Sequence, residues 1–151
     1  MIIGEAPGKN EDLQGHPFIG RSGQLLTRSL QQAGLNREDV FITNIVKCRP
    51  PNNRNPLPLE IKTCKQLLLF KQIKIIQPKI ICTLGALALE GLTNQRNIKI
   101  TKTRGIPLNI DGITIIPTYH PAYMLRKPKE LNTFIKDLKQ AHLLLNSQIK
   151  K

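Results

Sequence analysis

The sequence predicts an α/β protein, a three-layer α/β/α sandwich built around a central, mainly parallel four-stranded sheet. Three observations carry that expectation. Short apolar runs, mostly β-branched, at 1–4, 41–46, 79–84 and 113–117 read as buried strands. Helical patterns lie between most of them, and alternation of strands with helices implies a parallel sheet covered on both faces. Loops rich in glycine or proline follow the strand ends, where open α/β sheets build their sites.

The elements follow in order. Residues 1–4 (MIIG) end a strand and enter a loop holding Gly4, Gly8, Gly15, Gly20 and Gly23. Residues 22–33 (SGQLLTRSLQQA) have helical spacing, with Gly34 placed as the stop. FITNIV (41–46) is the next strand, followed by the loop KCRPPNNRNPLP (47–58). Residues 59–76 are expected to be helical up to Pro78, with Ile61, Cys64, Leu67 and Leu68 on one face. KIICTL (79–84) is a strand and 85–92 a short helix, whereas 98–110 fits neither pattern clearly. ITIIP (113–117) is the fourth strand and leads into the loop TYHPAYMLRKP. A last helix spans about 129–147, with Leu131, Phe134, Ile135, Leu138, His142 and Leu145 at helical spacing. A site is therefore expected from loops 4–20, 47–58 and 118–127.

Composition narrows the function. With 151 residues, 40% of them hydrophobic, the chain is expected to form one domain over 1–151 with its own core. No apolar run is long enough to cross a bilayer, since LLLF (67–70) stops at Lys71, and MIIGEAPG turns polar too soon for a signal peptide. Three cysteines without close pairing argue against a disulfide-stapled secreted fold. An intracellular protein without a membrane partner is expected, in the cytoplasm or nucleoid or in an organelle. Lys and Arg number 23 against 10 Asp and Glu, a net charge of +13, which suits a polyanionic partner; a merely solvated surface is the plainer reading.

GEAPG (4–8) is a tight strand-exit turn lacking both the Gly-Lys-Ser/Thr of a P-loop and the spacing of a dinucleotide fold. Phe18, one of few aromatics, sits in a loop where it could stack on a flat ligand such as a nucleobase. Asn44, near the end of FITNIV, offers a donor and an acceptor together, as reading a pyrimidine edge requires. A structural hydrogen bond is the alternative. His120 follows a buried strand and so lies at the same sheet edge, whereas His16 and His142 carry no functional expectation.

Taken together, GEAPGKNEDLQGHPFIG, ITNIVKCRPPNNRNP and PTYHPAYMLR resemble the family 4 uracil-DNA glycosylases, in that family's order and spacing and over nearly the whole chain. The resemblance implies excision of uracil from DNA as the first step of base-excision repair. By position, Phe18 resembles the residue stacking on flipped uracil, and Asn44 the amide that bonds the base edge and excludes cytosine. His120 resembles the histidine bonding uracil O2, Glu5 the acidic residue near the sugar, and Glu11 the next acidic position of the uracil site. Ala6 stands where some sister families place a catalytic aspartate, which leaves water activation to Glu5, backbone groups and the substrate. Met124 falls where the family commonly carries a leucine wedge, with Leu125 beside it. Arg49, Arg54 and Arg126 are expected to meet phosphates. The partner implied is uracil-containing DNA, bound by a monomer.

The resemblance is incomplete at the cofactor. The family carries a [4Fe–4S] cluster on four cysteines. Cys48 and Cys64 match its second pair, the first pair would lie in a preceding segment, and Cys82 reads as a small core residue. The expectation is a chain shortened at its N-terminus, or one that has dispensed with the cluster, which is then absent or incomplete. Two alternatives follow: a clusterless relative that binds DNA without turnover, or a sister glycosylase for other deaminated bases. TKTRGIP (101–107) lacks the histidine of the variant that traps uracil DNA covalently.

Overall fold

In the computed structural model, which describes residues 1–149, the strands are β1 (Ile2–Gly4), β2 (Ile42–Asn44), β3 (Ile80–Leu84), β4 (Leu108–Ile110) and β5 (Ile113–Thr118). They form one sheet in the order β2-β1-β3-β5-β4. All neighbours are parallel except β4, which pairs antiparallel with β5. Five strands thus replace the four expected. The extra one lies in the stretch 98–110, where three residues at a half-exposed edge carry too little apolar signal to register as a strand.

The helices are α1 (Lys9–Gln14), α2 (Arg21–Gln32), α3 (Pro58–Cys64), α4 (Phe70–Ile76), α5 (Ala86–Thr93), α6 (Ile100–Thr103), α7 (Pro121–Arg126) and α8 (Leu131–Ile149). None of the described helices is long and apolar enough to cross a membrane.

Successive strand residues point to opposite faces, and the two cores follow from that alternation. Ile2, Ile80, Cys82 and Ile116 pack with Leu26 and Leu30 of α2, Met124 of α7, and Phe134 and Leu138 of α8. Ile3, Ile81 and Ile115 pack on the other face with Leu69, Ile73, Ala88 and Leu89. The arrangement is the expected three-layer sandwich.

Between α3 and α4 the chain makes a π-type turn over Lys65–Leu69. Such a turn changes which side chains face inward. Leu67 and Leu68, expected to share a face with the partly buried Ile61 and Cys64, are 57% and 45% exposed, while Leu69 is fully buried.

A buried ion pair ties the last helix to the sheet. Asp137 of α8, 1% exposed, receives Nε of Arg104 at 2.8 Å and also its Nη2. It also accepts the Thr118 hydroxyl at 2.6 Å. The C-terminal end of β5 is therefore braced two residues before His120.

Candidate active site

β1, β2 and β5 run parallel and finish at one edge of the sheet, which brings their following loops together. The ladder between β1 and β2 sets Gly4 opposite Asn44 and continues beyond the strands. Ile45 N–H donates to Gly4 O at 2.9 Å, and Val46 N–H to Glu5 O at 3.1 Å. Over this edge lies a cavity of about 660 Å³ whose walls include Glu5, Ala6, Glu11, Phe18, Asn44 and His120. Its mouth takes in Arg54 and Arg126.

Phe18 is 6% exposed, with its ring centroid 5.7 Å from that of His120. It holds a left-handed backbone at φ 54°, a conformation that favours glycine and costs other residues energy. Gly4 is required beneath it: a Cβ there would come within 2.5 Å of Asn44 Oδ1 and 2.6 Å of Phe18 Cε2.

Asn44 is 4% exposed, and its Oδ1 has no hydrogen-bond partner among the described residues. Leaving a buried acceptor unpaired costs about 1–3 kcal/mol, so a ligand N–H presented in this cavity would be bound there.

His120 caps α7, its Nδ1 accepting the Ala122 N–H at 3.1 Å. An accepting Nδ1 places the proton of the neutral ring on Nε2. Burial chiefly, and the positive charge of Arg126 next, hold the imidazole down to about 4, so it is neutral at physiological pH.

The two carboxylates differ. Burial raises Glu5 above the usual carboxylate range. Glu11 also feels burial, but backbone amides outweigh it and hold its carboxyl low. Its Oε1 accepts Ile19 N–H at 3.0 Å and Gly20 N–H at 2.8 Å. Glu11 therefore lines the cavity while fastening the loop that carries Phe18.

Other expected residues lie around this centre. Arg54 makes a two-pronged bond to Glu60 at 2.9 and 2.7 Å, and Arg49 Nε donates to Asn53 Oδ1 at 2.7 Å. The reading of Met124 as a surface wedge is corrected. α7 begins at Pro121 and turns Met124 into the core, 2% exposed, whereas Leu125 is 39% exposed.

Cys48 and Cys64 share the lining of a separate, mostly apolar pocket of about 330 Å³. Cys82 lies in β3 on the opposite face, buried, with its thiol pushed up to about 11. No group of three or more metal-ligating side chains occurs among the described residues. They thus supply half of the four-thiolate set a [4Fe–4S] cluster requires, and do not fit the complete group.

Sequence reasoning gave no role to Lys47. Its Nζ donates to Asn44 O at 2.6 Å, to Thr43 Oγ1 at 2.7 Å and to Gln72 Oε1 at 2.7 Å, and burial lowers it to about 8. Gln72, on α4, is the one partner that proximity in sequence could not suggest.

Comparison with known proteins gives the family. The family model described as Uracil DNA glycosylase superfamily matches residues 1–141. The type-4 uracil-DNA glycosylase of Thermotoga maritima is 45% identical over 98% of this chain and 78% of its own length. That of Saccharolobus solfataricus is 47% identical over 98% of this chain and 72% of its own. That of Pyrobaculum aerophilum is 48% identical over 91% and 74%. With the model spanning both ends of the cavity and the relatives matching over more than nine-tenths of the chain, the protein belongs to the uracil-DNA glycosylase superfamily, in its type-4 branch.

Proposed function

We propose that this chain is a single-domain uracil-DNA glycosylase acting on cellular DNA, and that it hydrolyses the bond between uracil N1 and deoxyribose C1′. The observation that carries the reading of the base is the unpaired, buried Oδ1 of Asn44. Uracil presents N3–H to such an acceptor and O4 to the amide nitrogen. Cytosine offers an acceptor at N3 and a donor at its 4-amine, so both contacts would fail.

The reaction follows from the same side chains. Base extrusion costs a few kcal/mol; in this reading Leu125 fills the vacated stack and Arg126 meets a phosphate. Phe18 stacks on the base. As N1–C1′ breaks, the sugar becomes oxocarbenium-like and uracil gains negative charge. The His120 Nε2–H stabilises that charge at O2, a contribution of about 3–4 kcal/mol for an oriented donor. A neutral donor suits this role because it stabilises the anion without being consumed as an acid. Glu5, beside the sugar, stabilises positive charge and orients the attacking water where Ala6 offers no carboxylate.

The test is incubation of the protein with uracil-containing single- and double-stranded oligonucleotides, followed by alkaline cleavage at abasic sites. Asn44→Ala and His120→Ala should each lower single-turnover excision by about 10²–10³-fold. Binding without uracil release by the wild type would refute turnover, and unchanged rates in both variants would refute the role assignments.

A further inference from the structure

We propose that Arg37 is a positioning residue for the base-stacking ring, acting through the backbone of Phe18 rather than touching the substrate. The inference rests on the glycosylase reading above and extends it to a side chain outside the cavity.

The left-handed conformation of Phe18 needs an explanation, because an L-residue pays roughly 1–2 kcal/mol for it. φ is the rotation that relates Cα to the peptide plane before it, and ψ relates Cα to the plane after it. Both planes are held by a charged side chain. Arg37 Nη2 donates to the Pro17 carbonyl at 2.6 Å, which fixes the plane preceding Phe18. Glu11 accepts the amide of Ile19, which belongs to the plane following it, and the next amide as well. A cation on one side and a carboxylate on the other therefore define both dihedrals.

Arg37 is itself anchored to the helix that supports the loop. Its Nη1 donates to Thr27 Oγ1 at 3.1 Å, and that hydroxyl donates to Gly23 O at 3.1 Å. Gly23 is the residue against which the Phe18 backbone is packed, so closely that a Cβ there would overlap the Phe18 carbonyl. The guanidinium thus ties the ring's main chain to α2, and Arg37 stands in a short turn in which the Asn36 N–H and Nδ2 both donate to Asp39 Oδ2. Arg37 is half-buried and absent from the cavity wall, so any effect on catalysis has to pass through the loop.

A double-mutant cycle on the full chain tests this. Single-turnover uracil excision and inhibition by free uracil are measured for wild type, Arg37→Met, Phe18→Ala and the double variant, with thermal unfolding alongside. Arg37→Met should slow excision and weaken uracil inhibition by about 10–100-fold, the size expected for losing a charge-assisted bond. In the Phe18→Ala background the same change should alter either quantity less than about twofold, because coupled residues are not additive. Arg37→Lys, which keeps a donor for Pro17 O, should recover at least part of the loss. Should Arg37→Met not fold, Thr27→Val removes only the hydroxyl that orients the guanidinium and carries the same cycle with a smaller effect. Multiplicative losses in the cycle, or no loss in either single variant, would overturn the proposal. A wild type that releases no uracil would instead overturn the glycosylase reading, so the two failures are distinguishable.

Discussion

His120 links the site's chemistry to the protein's stability. The folded protein keeps this imidazole neutral down to about pH 4, whereas the unfolded chain takes up the proton near the ordinary 6.5. A histidine depressed on folding costs stability as the pH falls, because the unfolded state binds the proton first. The loss should begin below about pH 6.5, reach roughly 2 kcal/mol at pH 5 and level off below the folded value. His120→Gln should remove it, since the glutamine does not titrate and its oxygen can still accept the Ala122 N–H. Urea unfolding of both proteins from pH 4 to 8 gives the difference curve. Glu11 and Glu60, whose folded carboxyls are held low by hydrogen bonds, also cost stability on acidification, but equally in both proteins. Parallel curves for the two proteins over pH 5–7.5 would refute a buried neutral His120, and with it the donor role assigned to Nε2.

Three further predictions concern the cavity, the surface and the core. Gly4→Ala should lower excision by about 100-fold, because the new methyl displaces the Phe18 ring and Asn44 by a good fraction of an ångström; near-normal excision would show that neither needs its present position. Duplex binding should weaken with salt at a slope of about −0.9 per phosphate neutralised, and Arg126→Ala should reduce that slope by about one. Arg54→Ala should reduce it less, its guanidinium being bound by Glu60, and a flat response would mean that the +13 charge is only solvation. Asp137→Ala should cost about 3–5 kcal/mol in urea unfolding by leaving Arg104 without its counter-charge; a loss under ~1 kcal/mol would show that water replaces the carboxylate.

Strands β1, β2, β3 and β5 were legible because β-branched runs such as KIICTL and ITIIP leave few other choices, and the helix spacing of α2 and α8 was equally direct. The misses share a physical cause. α1 spans six residues and buries none, so no apolar period marks it within its glycine-rich loop. α7 was read as loop because it is only six residues long, although Pro121 in its first turn is a start signal. The π-type turn, which buries Lys65 and Leu69, interrupts the regular 3.6-residue period that put Leu67 and Leu68 on one face with Ile61 and Cys64. At the site, side chains that line the cavity stood in recognisable loops or, like Asn44, at the end of a strand. Arg37 and Lys47 act through main-chain carbonyls, a role that residue type alone does not announce.

The cavity draws its walls from residues 5 to 126, so the first strand and the last are joined through whatever sits between them. A bound base would therefore be a cross-link between the two ends of the chain's folding order. Opening either strand alone would take away part of its contacts. Occupancy at about a hundredfold over the dissociation constant adds roughly 2.7 kcal/mol to the folded state. That increment would be shared by the amides of β1 and β5 alike, so that hydrogen exchange at two sequence-distant strands would slow in step when free uracil is added.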